Sequence, residues 1–267
     1  MKLENKVVIV TGASGGIGRE IVMQMAQRGA DIALAGRNRE KLSSLQEILA
    51  KFGNKTIIVT GDLTKSEDRQ VLIKQVEEEL GAIDLLINNA GGQQMALFQD
   101  MSEASIDQLF QTNIVAPVQL MRLVIPRMLE KATGRVVNIG SAFGSLGFAG
   151  YTTYSASKYA LRGFSEALRR ELTGSGVGVT YVAPRGTKTA LNSDKLYDVS
   201  KKLGFNFDEP TAVAKQIIKA IEAEKNELFI GFPEKFFARI NGLFPALIDL
   251  GTAKQSSLIK EFLTQNR

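Results

Sequence analysis

The chain has 267 residues and contains neither cysteine nor histidine. This excludes disulfides, thiolate metal sites and histidine as a general base. We therefore expect no metal site. Its 44% hydrophobic and 23% charged residues are typical of a globular protein with one large core, and no linker divides it into two domains. The net charge of +5 comes from basic residues scattered among acidic ones, which indicates a solvated surface rather than a nucleic-acid interface.

The first residues, 1–6, are largely polar and lack the apolar core of a secretory signal. No stretch reaches the roughly 18 to 20 apolar residues that a membrane span requires. We therefore expect a cytoplasmic protein.

Short apolar runs then alternate with segments of helical periodicity. The strands are apolar on both faces, which is typical of a parallel sheet covered by helices on both sides. We expect a Rossmann-like, doubly wound α/β sheet with three α/β/α layers in a single domain, with ligands at the carboxyl ends of the strands. The predicted strands are 7–10, 32–35, 56–60, 84–87, 135–140 and 177–182, and the predicted helices after the first one are 41–52, 66–80, 103–130, 155–173 and 211–223.

A glycine-rich segment, residues 11–18, lies between the first strand and the first helix. Gly12, Gly16 and Gly18 would let the backbone turn sharply and approach a pyrophosphate, and the following helix would direct free amides at it. The spacing differs from the G-x-G-x-x-G dinucleotide pattern, so a plain tight turn is the alternative.

The second strand ends at Gly36, and Arg37 follows it. NAD sites usually place an acidic residue here to bind the ribose 2′-hydroxyl. A guanidinium would instead attract a 2′-phosphate that an acid would repel. The segment therefore predicts NADP(H) rather than NAD, the alternative being an arginine that only lies on a surface loop.

Tyr154 and Lys158 are four residues apart, so they share one face of a helix. A cation beside a tyrosine would lower the phenol pKa from about 10 and make a general acid/base without histidine. Ser141 follows the strand at 135–140 and could reach the same cleft. Asn113 lies in an apolar helical stretch, where a buried amide needs a partner. Taken singly, each of these residues fits a structural role better: a surface contact for the tyrosine and lysine, a turn serine, and a satisfied core amide.

Five features in order resemble the short-chain dehydrogenase/reductase family: Thr11-Gly12-x-x-x-Gly16-x-Gly18, Asn88-Asn89-Ala90-Gly91, Asn113, Ser141, and Tyr154-x-x-x-Lys158. The resemblance covers residues 6–189 and continues weakly through 211–223. It implies an oxidoreductase that transfers a hydride between NADP(H) and a carbonyl or alcohol carbon.

The resemblance also implies a role for each matched residue. Tyr154 would exchange a proton with the substrate oxygen, Lys158 would lower the tyrosine pKa and bind the nicotinamide ribose, and Ser141 would hydrogen-bond the substrate oxygen. Asn113 would hold a water that connects Lys158 to solvent. The expected cofactor contacts are Gly12, Ser14, Gly16, Ile17 and Gly18 at the phosphates and adenosine, Arg37 at the 2′-phosphate, Asp62 and Leu63 at the adenine, Asn89, Ala90 and Gly91 along the middle, and Pro184, Thr187 and Thr189 at the carboxamide and diphosphate.

One residue departs from the family pattern. Arg185 follows Pro184 where the family usually has glycine. This puts the local backbone path in doubt, and Arg185 could instead contact substrate.

The last part of the chain is expected to determine the substrate. Residues 185–209 lack a strong period and predict a long, mobile loop over the pocket. Residues 228–267 carry many large apolar side chains that could pack on the core or a second subunit, form an apolar channel, or rest on a membrane surface. Peripheral membrane contact is the least favoured of these, although Lys235, Arg239, Lys254 and Lys260 accompany the phenylalanines. We expect a hydrophobic ketone or aldehyde.

Two other functions stay open. One is a 3-oxoacyl-[acyl-carrier-protein] reductase, and the other is a non-catalytic NADP(H) sensor or scaffold, which would not need Tyr154. The resemblance further implies a homodimer or homotetramer formed through the helices near 103–130 and 155–173.

Overall fold

The computed structural model describes residues 1–192, 197, 198, 200, 205, 207–232 and 234–265, with side chains omitted at 234, 235 and 238. Its strands are β1 Val7–Thr11, β2 Asp31–Gly36, β3 Thr56–Thr60, β4 Leu85–Asn88, β5 Gly134–Ile139, β6 Val177–Ala183 and β7 Glu227–Phe229. Its helices are α1 Gly16–Ala26, α2 Arg39–Leu49, α3 Ser66–Glu79, α4 Glu103–Phe110, α5 Ala116–Glu130, α6 Thr152–Glu171, α7 Pro210–Glu222, α8 Glu234–Leu243 and α9 Pro245–Gln265.

The described strands form one parallel sheet in the order β3-β2-β1-β4-β5-β6-β7. The chain order reverses beside β1, between β1 and β4. In a doubly wound sheet, the crevice at this reversal is where ligands bind. The predicted doubly wound α/β/α fold is therefore confirmed.

The sheet is buried on both faces because its strands are continuous apolar runs. Val8 and Val10 of β1 face a core that α1, α2 and α7 cover. Ile9, between them, faces the opposite core, which α3 and α5 cover. Successive side chains of a strand point to opposite faces, so the same short run supplies both cores.

Three features differ from the sequence prediction. The helix predicted at 103–130 is interrupted by a π-helical turn, Gln111–Val115, and a seventh strand, β7, pairs with the end of β6. In the predicted loop 185–209, residues 185–192, 197, 198, 200, 205 and 207–209 are described; 197, 198 and 200 are helical, and a Thr187–Asp208 bridge joins the two ends. Residues 193–196, 199, 201–204 and 206 lie outside the described residues.

No helix in the described ranges is both long and apolar enough to cross a membrane.

Candidate active site

A cleft of about 880 Å³ opens at the carboxyl edge of the sheet. It brings together segments that are far apart in the chain: the turn after β1, the ends of β4, β5 and β6, and the start of α6. The predicted site residues that line it are Gly12, Ser14, Gly16, Ile17, Arg37, Asn89, Ala90, Gly91, Ser141, Tyr154, Lys158, Pro184, Thr187 and Thr189. Gly18, Asp62, Leu63 and Asn113 lie behind or beside this lining.

The turn before α1 requires its glycines. Gly12 has φ of 63° and Gly16 has φ of 53°, a left-handed conformation that other residues rarely adopt. A Cβ at Gly18 would lie 2.2 Å from the Gly12 carbonyl oxygen, so Gly18 permits the close turn without lining the cleft. Among the described residues, no side chain caps the first turn of α1. Its free amides and positive dipole end therefore suit a phosphate.

Thr11, which the sequence analysis quoted but gave no role, joins β1 to the segment after β4. Its buried hydroxyl accepts hydrogen bonds from the amides of Asn89 and Ala90, both at 2.9 Å. The Asn89 side chain in turn donates to the carbonyls of Thr11 and Gly12. These bonds hold the two backbone segments that form the floor of the cleft.

Arg37 is exposed at the carboxyl end of β2 and lines the same cleft. Asp62 follows β3, where hydrogen bonds from Thr64 and, more weakly, the charge of Arg37 lower the pKa of its carboxyl group. Leu63 packs against the core beneath, and its carbonyl accepts from Arg69, so it is set back from the cleft. In the described chain, no cluster of three acidic side chains could hold a metal ion.

Tyr154 and Lys158 lie one turn apart near the start of α6, as predicted. Their exposed fractions are 9% and 6%. Lys158 Nζ donates to the carbonyl of Ile139 at the end of β5 (3.1 Å) and lies 5.7 Å from the centroid of the Tyr154 ring. Burial lowers the pKa of Lys158 to about 8.

The pKa of Tyr154 differs from the prediction. Burial raises it, and a side-chain hydrogen bond with Ser141 opposes that rise. The net pKa is therefore raised rather than lowered, because the cost of removing a phenolate from water exceeds the stabilisation by the Ser141 hydrogen bond. A lowering of this pKa by Lys158 stays a prediction. The phenol keeps its proton over the neutral range.

Ser141 is held between the end of β5 and a short 3₁₀ helix, Ala142–Gly144. Its hydroxyl accepts from the amide of Phe143 at 3.1 Å. A hydroxyl that accepts one hydrogen bond can still donate its own proton to another group, and the Ser141 hydroxyl faces Tyr154. The serine, the tyrosine and the lysine thus meet at one point of the cleft.

Asn113 is buried in the π-helical turn behind this point. Its amide accepts from the Gly92 amide (2.8 Å) and donates to the Gly92 carbonyl (2.9 Å) and to Ser157 Oγ (3.0 Å). It therefore fixes the segment after β4 against α6, on the side where Lys158 lies. Its role in holding a water stays a prediction.

The sequence left open that Arg185 contacts substrate, but its side chain is bonded within the protein. Its guanidinium donates to both carboxylate oxygens of Asp208, at 2.9 and 2.7 Å, and to the Phe232 carbonyl at 3.2 Å. A planar guanidinium fits a carboxylate through two parallel bonds. Arg185 thus ties the two ends of the 185–209 segment together at the rim of the cleft.

An aromatic wall that was not predicted from the sequence lies beside Tyr154. The Phe143 and Phe148 rings stack at 5.1 Å, Phe143 lies 5.2 Å from Tyr151, and Phe148 lies 5.5 Å from Phe205. Only Phe205 lies in a segment that we had assigned to the substrate pocket. The others follow β5 at spacings without a helical or strand period, so the sequence carried no signal for them.

Residues 228–267 contribute to the cleft as well. Their apolar side chains in the lining are Phe232, Phe237, Leu247 and Ile248, and Gly251, Thr252 and Gln255 line the cleft beside them. The interpretation of this extension as an apolar channel wall is therefore supported for the four apolar side chains.

Residues 6–199 match the model of the short chain dehydrogenase family. The chain belongs to the short-chain dehydrogenase/reductase family. As a member, it is an oxidoreductase, in agreement with the resemblance stated from its motifs.

Individual members of the family are similar over most of the chain. A ketoacyl reductase of Nostoc sp. is 34% identical over 85% of this chain and 79% of its own. The 3-ketodihydrosphingosine reductase of Bos taurus is 36% identical over 79% of this chain and 67% of its own. A crystal structure of a variant actinorhodin polyketide ketoreductase with NADPH superposes with a TM-score of 0.78 at 27% identity, covering 84% of this chain and 95% of that one.

Proposed function

We propose that the protein is an NADP(H)-dependent oxidoreductase that reduces a hydrophobic ketone or aldehyde to an alcohol, or catalyses the reverse reaction. The observation that carries the proposal is the meeting of Ser141, Tyr154 and Lys158 at one point of a cleft whose nearest wall is aromatic. A phenol and a hydroxyl beside an apolar wall suit a carbonyl oxygen attached to an apolar group.

A nicotinamide cofactor, when bound, supplies or accepts the hydride. The turn at Gly12 and Gly16 would hold its diphosphate, because the first turn of α1 lines the cleft there and no side chain described in this structure caps its amides. The segments at 89–91 and 184–189 would hold its middle and its nicotinamide end. The polyketide ketoreductase described above supports a nicotinamide cofactor, since its crystal structure is one with NADPH.

The chain's own residues would handle the proton. Tyr154, protonated at neutral pH, would donate to the substrate oxygen during reduction. Ser141 would donate a hydrogen bond to the same oxygen and stabilise its developing negative charge. The ammonium of Lys158 would favour the phenolate left behind. A sensor or scaffold without turnover would need none of these three groups in this arrangement.

Arg37 would select NADP(H) over NAD(H) by pairing with the 2′-phosphate. A hydrogen bond to a charged group contributes about 1.5–3 kcal/mol, which corresponds to a factor of roughly 10 to 150 in affinity. We therefore expect Arg37→Ser to raise KM for NADPH by that factor and to leave KM for NADH nearly unchanged. Arg39→Ser, which removes an exposed arginine two residues further on, is the matched control. A wild-type preference for NADH would contradict the assignment.

A second candidate reaction uses the same chemistry on a different substrate. Similarity to the ketoacyl reductase favours reduction of a 3-oxoacyl chain, and similarity to a 3-oxoacyl-[acyl-carrier-protein] reductase of Vibrio harveyi favours a chain bound to acyl carrier protein. Comparing kcat/KM for a free hydrophobic ketone and for a carrier-bound 3-oxoacyl chain separates the two. Faster turnover of the carrier-bound chain would replace our first proposal with the second.

We also propose a cytoplasmic homodimer or homotetramer assembled through the α4–α5 segment and α6. The oligomeric state is measured by light scattering coupled to gel filtration, and a monomer would contradict it.

A further inference from the structure

Exposed apolar side chains are concentrated in the last two helices. Sixteen large apolar side chains in the described chain are exposed, and eight of them lie between residues 232 and 258. We call these eight the C-terminal apolar surface: Phe232, Phe236, Phe237, Leu243, Phe244, Leu247, Leu250 and Leu258. Single exposed apolar residues are ordinary on a protein, but a cluster of this kind marks an interaction site.

The cluster is the outer side of a docked pair of helices. Ile248 and Ile259 of α9 are buried against the body of the protein. On α8, the Asn241 amide donates to the Ser145 carbonyl (3.0 Å) and to the Tyr159 hydroxyl (3.2 Å). Because these contacts fix the inner side, the apolar side chains that remain exposed face outward in the folded protein.

The surface is continuous with the cleft. Phe232, Phe237 and Leu247 belong to the cleft lining, yet their exposed fractions are 80%, 40% and 59%. The apolar wall therefore runs from the catalytic tyrosine, past Phe143 and Phe148, to the outside of the molecule. A water-soluble polar substrate gains nothing from such an entrance, whereas a long alkyl chain stays in apolar surroundings along the whole path.

Exposed cations accompany the apolar groups. By sequence, α8 and α9 carry four basic residues, Lys235, Arg239, Lys254 and Lys260, and three acidic ones, Glu234, Asp249 and Glu261; Arg239, Lys254 and Lys260 are exposed. Helices that rest in a bilayer interface combine large apolar side chains with lysine and arginine, which attract anionic lipid headgroups. A second copy of the chain over these side chains would bury them too, but it would also cover Phe232, Phe237 and Leu247, which line the cleft.

We propose that the C-terminal apolar surface rests on a phospholipid bilayer that contains anionic lipid, and that a long-chain carbonyl substrate enters the cleft directly from that bilayer. The substrate part of this inference rests on the proposed function, whereas the docking part does not.

The docking is tested with the full chain and phospholipid vesicles. Wild-type protein should sediment with vesicles of phosphatidylcholine and phosphatidylglycerol, and more weakly with phosphatidylcholine alone. A variant with Phe236, Leu243, Phe244 and Leu250 changed to serine, none of which lines the cleft, should bind at least tenfold more weakly. The matched control changes four exposed apolar residues elsewhere, Ile48, Val71, Phe98 and Leu129, to serine and should bind like wild type.

The activity of the same variants separates this inference from the proposed function. With a short water-soluble ketone, the C-terminal variant should keep the wild-type kcat/KM, while with a long-chain ketone in vesicles it should lose at least tenfold. Equal vesicle binding by wild type and variant, or none by either, overturns the docking. The docking is also overturned if the wild type self-associates, the C-terminal variant is monomeric, and neither binds vesicles. The surface would then be a subunit contact. Vesicle binding with no turnover of any carbonyl would refute the proposed function and leave the docking standing.

Discussion

At the scale of single residues, two buried titratable groups determine the pH range in which the site can work. Burial acts on them in opposite directions, because it always disfavours the charged form. It raises the pKa of the Tyr154 phenol and lowers the pKa of the Lys158 ammonium to about 8. Near neutral pH the phenol therefore holds its proton and the lysine is mostly charged, which is the combination that carbonyl reduction needs.

This combination predicts a pH dependence. Above about pH 8 Lys158 loses its charge, so the phenolate formed during reduction loses its stabilising neighbour, and kcat for reduction should fall as pH rises. Lys158→Arg keeps the charge up to high pH and should move the fall upward. Both proteins are compared by kcat measured from pH 6 to 10. A wild-type rate that is constant up to pH 10 would contradict the role of Lys158.

The meeting of Ser141, Tyr154 and Lys158 in one cleft could be predicted from the sequence, and their energetics could not. Ser141, Tyr154 and Lys158 stand out because their spacing matches a pattern that folding brings together. The pKa of Tyr154 depends on how completely the folded chain removes it from water, which spacing does not encode. Thr11 and Phe143 were missed because one looks like a strand residue and the other like a turn residue.

At the scale of secondary-structure elements, one ion pair joins the end of β6 to the approach to α7. Arg185 and Asp208 pair through two bonds, with about a fifth of each side chain exposed. Backbone bonds between residues 186–188 and Asp208 extend the junction. Thr187 and Thr189, which we place at the cofactor, lie just inside it. The pair thus positions the segment that we propose to bind the cofactor.

Charge reversal tests this junction. Arg185→Asp and Asp208→Arg should each destabilise the protein and raise KM for the cofactor, and the double variant should recover part of both losses. The coupling free energy from chemical unfolding should be about 0.5–3 kcal/mol, as for residues in direct contact. The neighbouring pair Lys188 and Glu209, which is much more exposed, is the matched control and should show a far smaller coupling. Additive effects at Arg185 and Asp208 would contradict the positioning role.

The strands and helices up to β6 were predictable because each is a run of clear apolar period. The interruption of the helix at 103–130 was not, because a π-helical turn inserts one residue without changing the composition. β7 has three residues and forms only because β6 offers an edge to pair with. Such elements depend on tertiary contacts that local sequence does not reveal.

At the scale of the whole molecule, Asp84 joins elements at the amino edge of the sheet, opposite the cleft. Its carboxylate accepts from the Val7 amide (3.1 Å), from Lys6 (3.3 Å) and from Lys131 after α5 (2.9 Å). Burial raises the pKa of Asp84, but the bonds and charges of these partners outweigh it, so the pKa is lowered. The ionised form therefore stabilises the fold.

Asp84→Asn should lower the free energy of unfolding at pH 7 by about 1–3 kcal/mol. A lowered folded-state pKa contributes stability above the unfolded value of about 3.9, and the contribution is lost as pH falls through the folded value. The difference between wild type and variant should therefore shrink below about pH 4. Urea unfolding at pH 7 and at pH 3 measures it, with the exposed Asp107→Asn as control. A difference that is the same at both pH values would refute the ionic explanation.

The C-terminal extension shows the limit of sequence reasoning for the whole molecule. Its phenylalanines and leucines could be counted, but the sequence could not tell which would pack and which would stay exposed. The structure divides them: Ile248 and Ile259 are buried, Phe237 and Leu247 reach the cleft, and others face outward. That division depends on how α8 and α9 dock, through contacts far apart in the chain.

The central claim is that Tyr154 is the proton donor, and its hydroxyl can be removed alone. We expect Tyr154→Phe to lower kcat for carbonyl reduction by about 10²–10⁴-fold while NADPH binding, followed by cofactor fluorescence, stays within a few-fold of wild type. Tyr159→Phe removes a phenol hydroxyl on the same helix but outside the cleft, where it accepts one hydrogen bond from Asn241, and should keep activity within a few-fold of wild type. Equal rates in wild type and Tyr154→Phe would contradict the account.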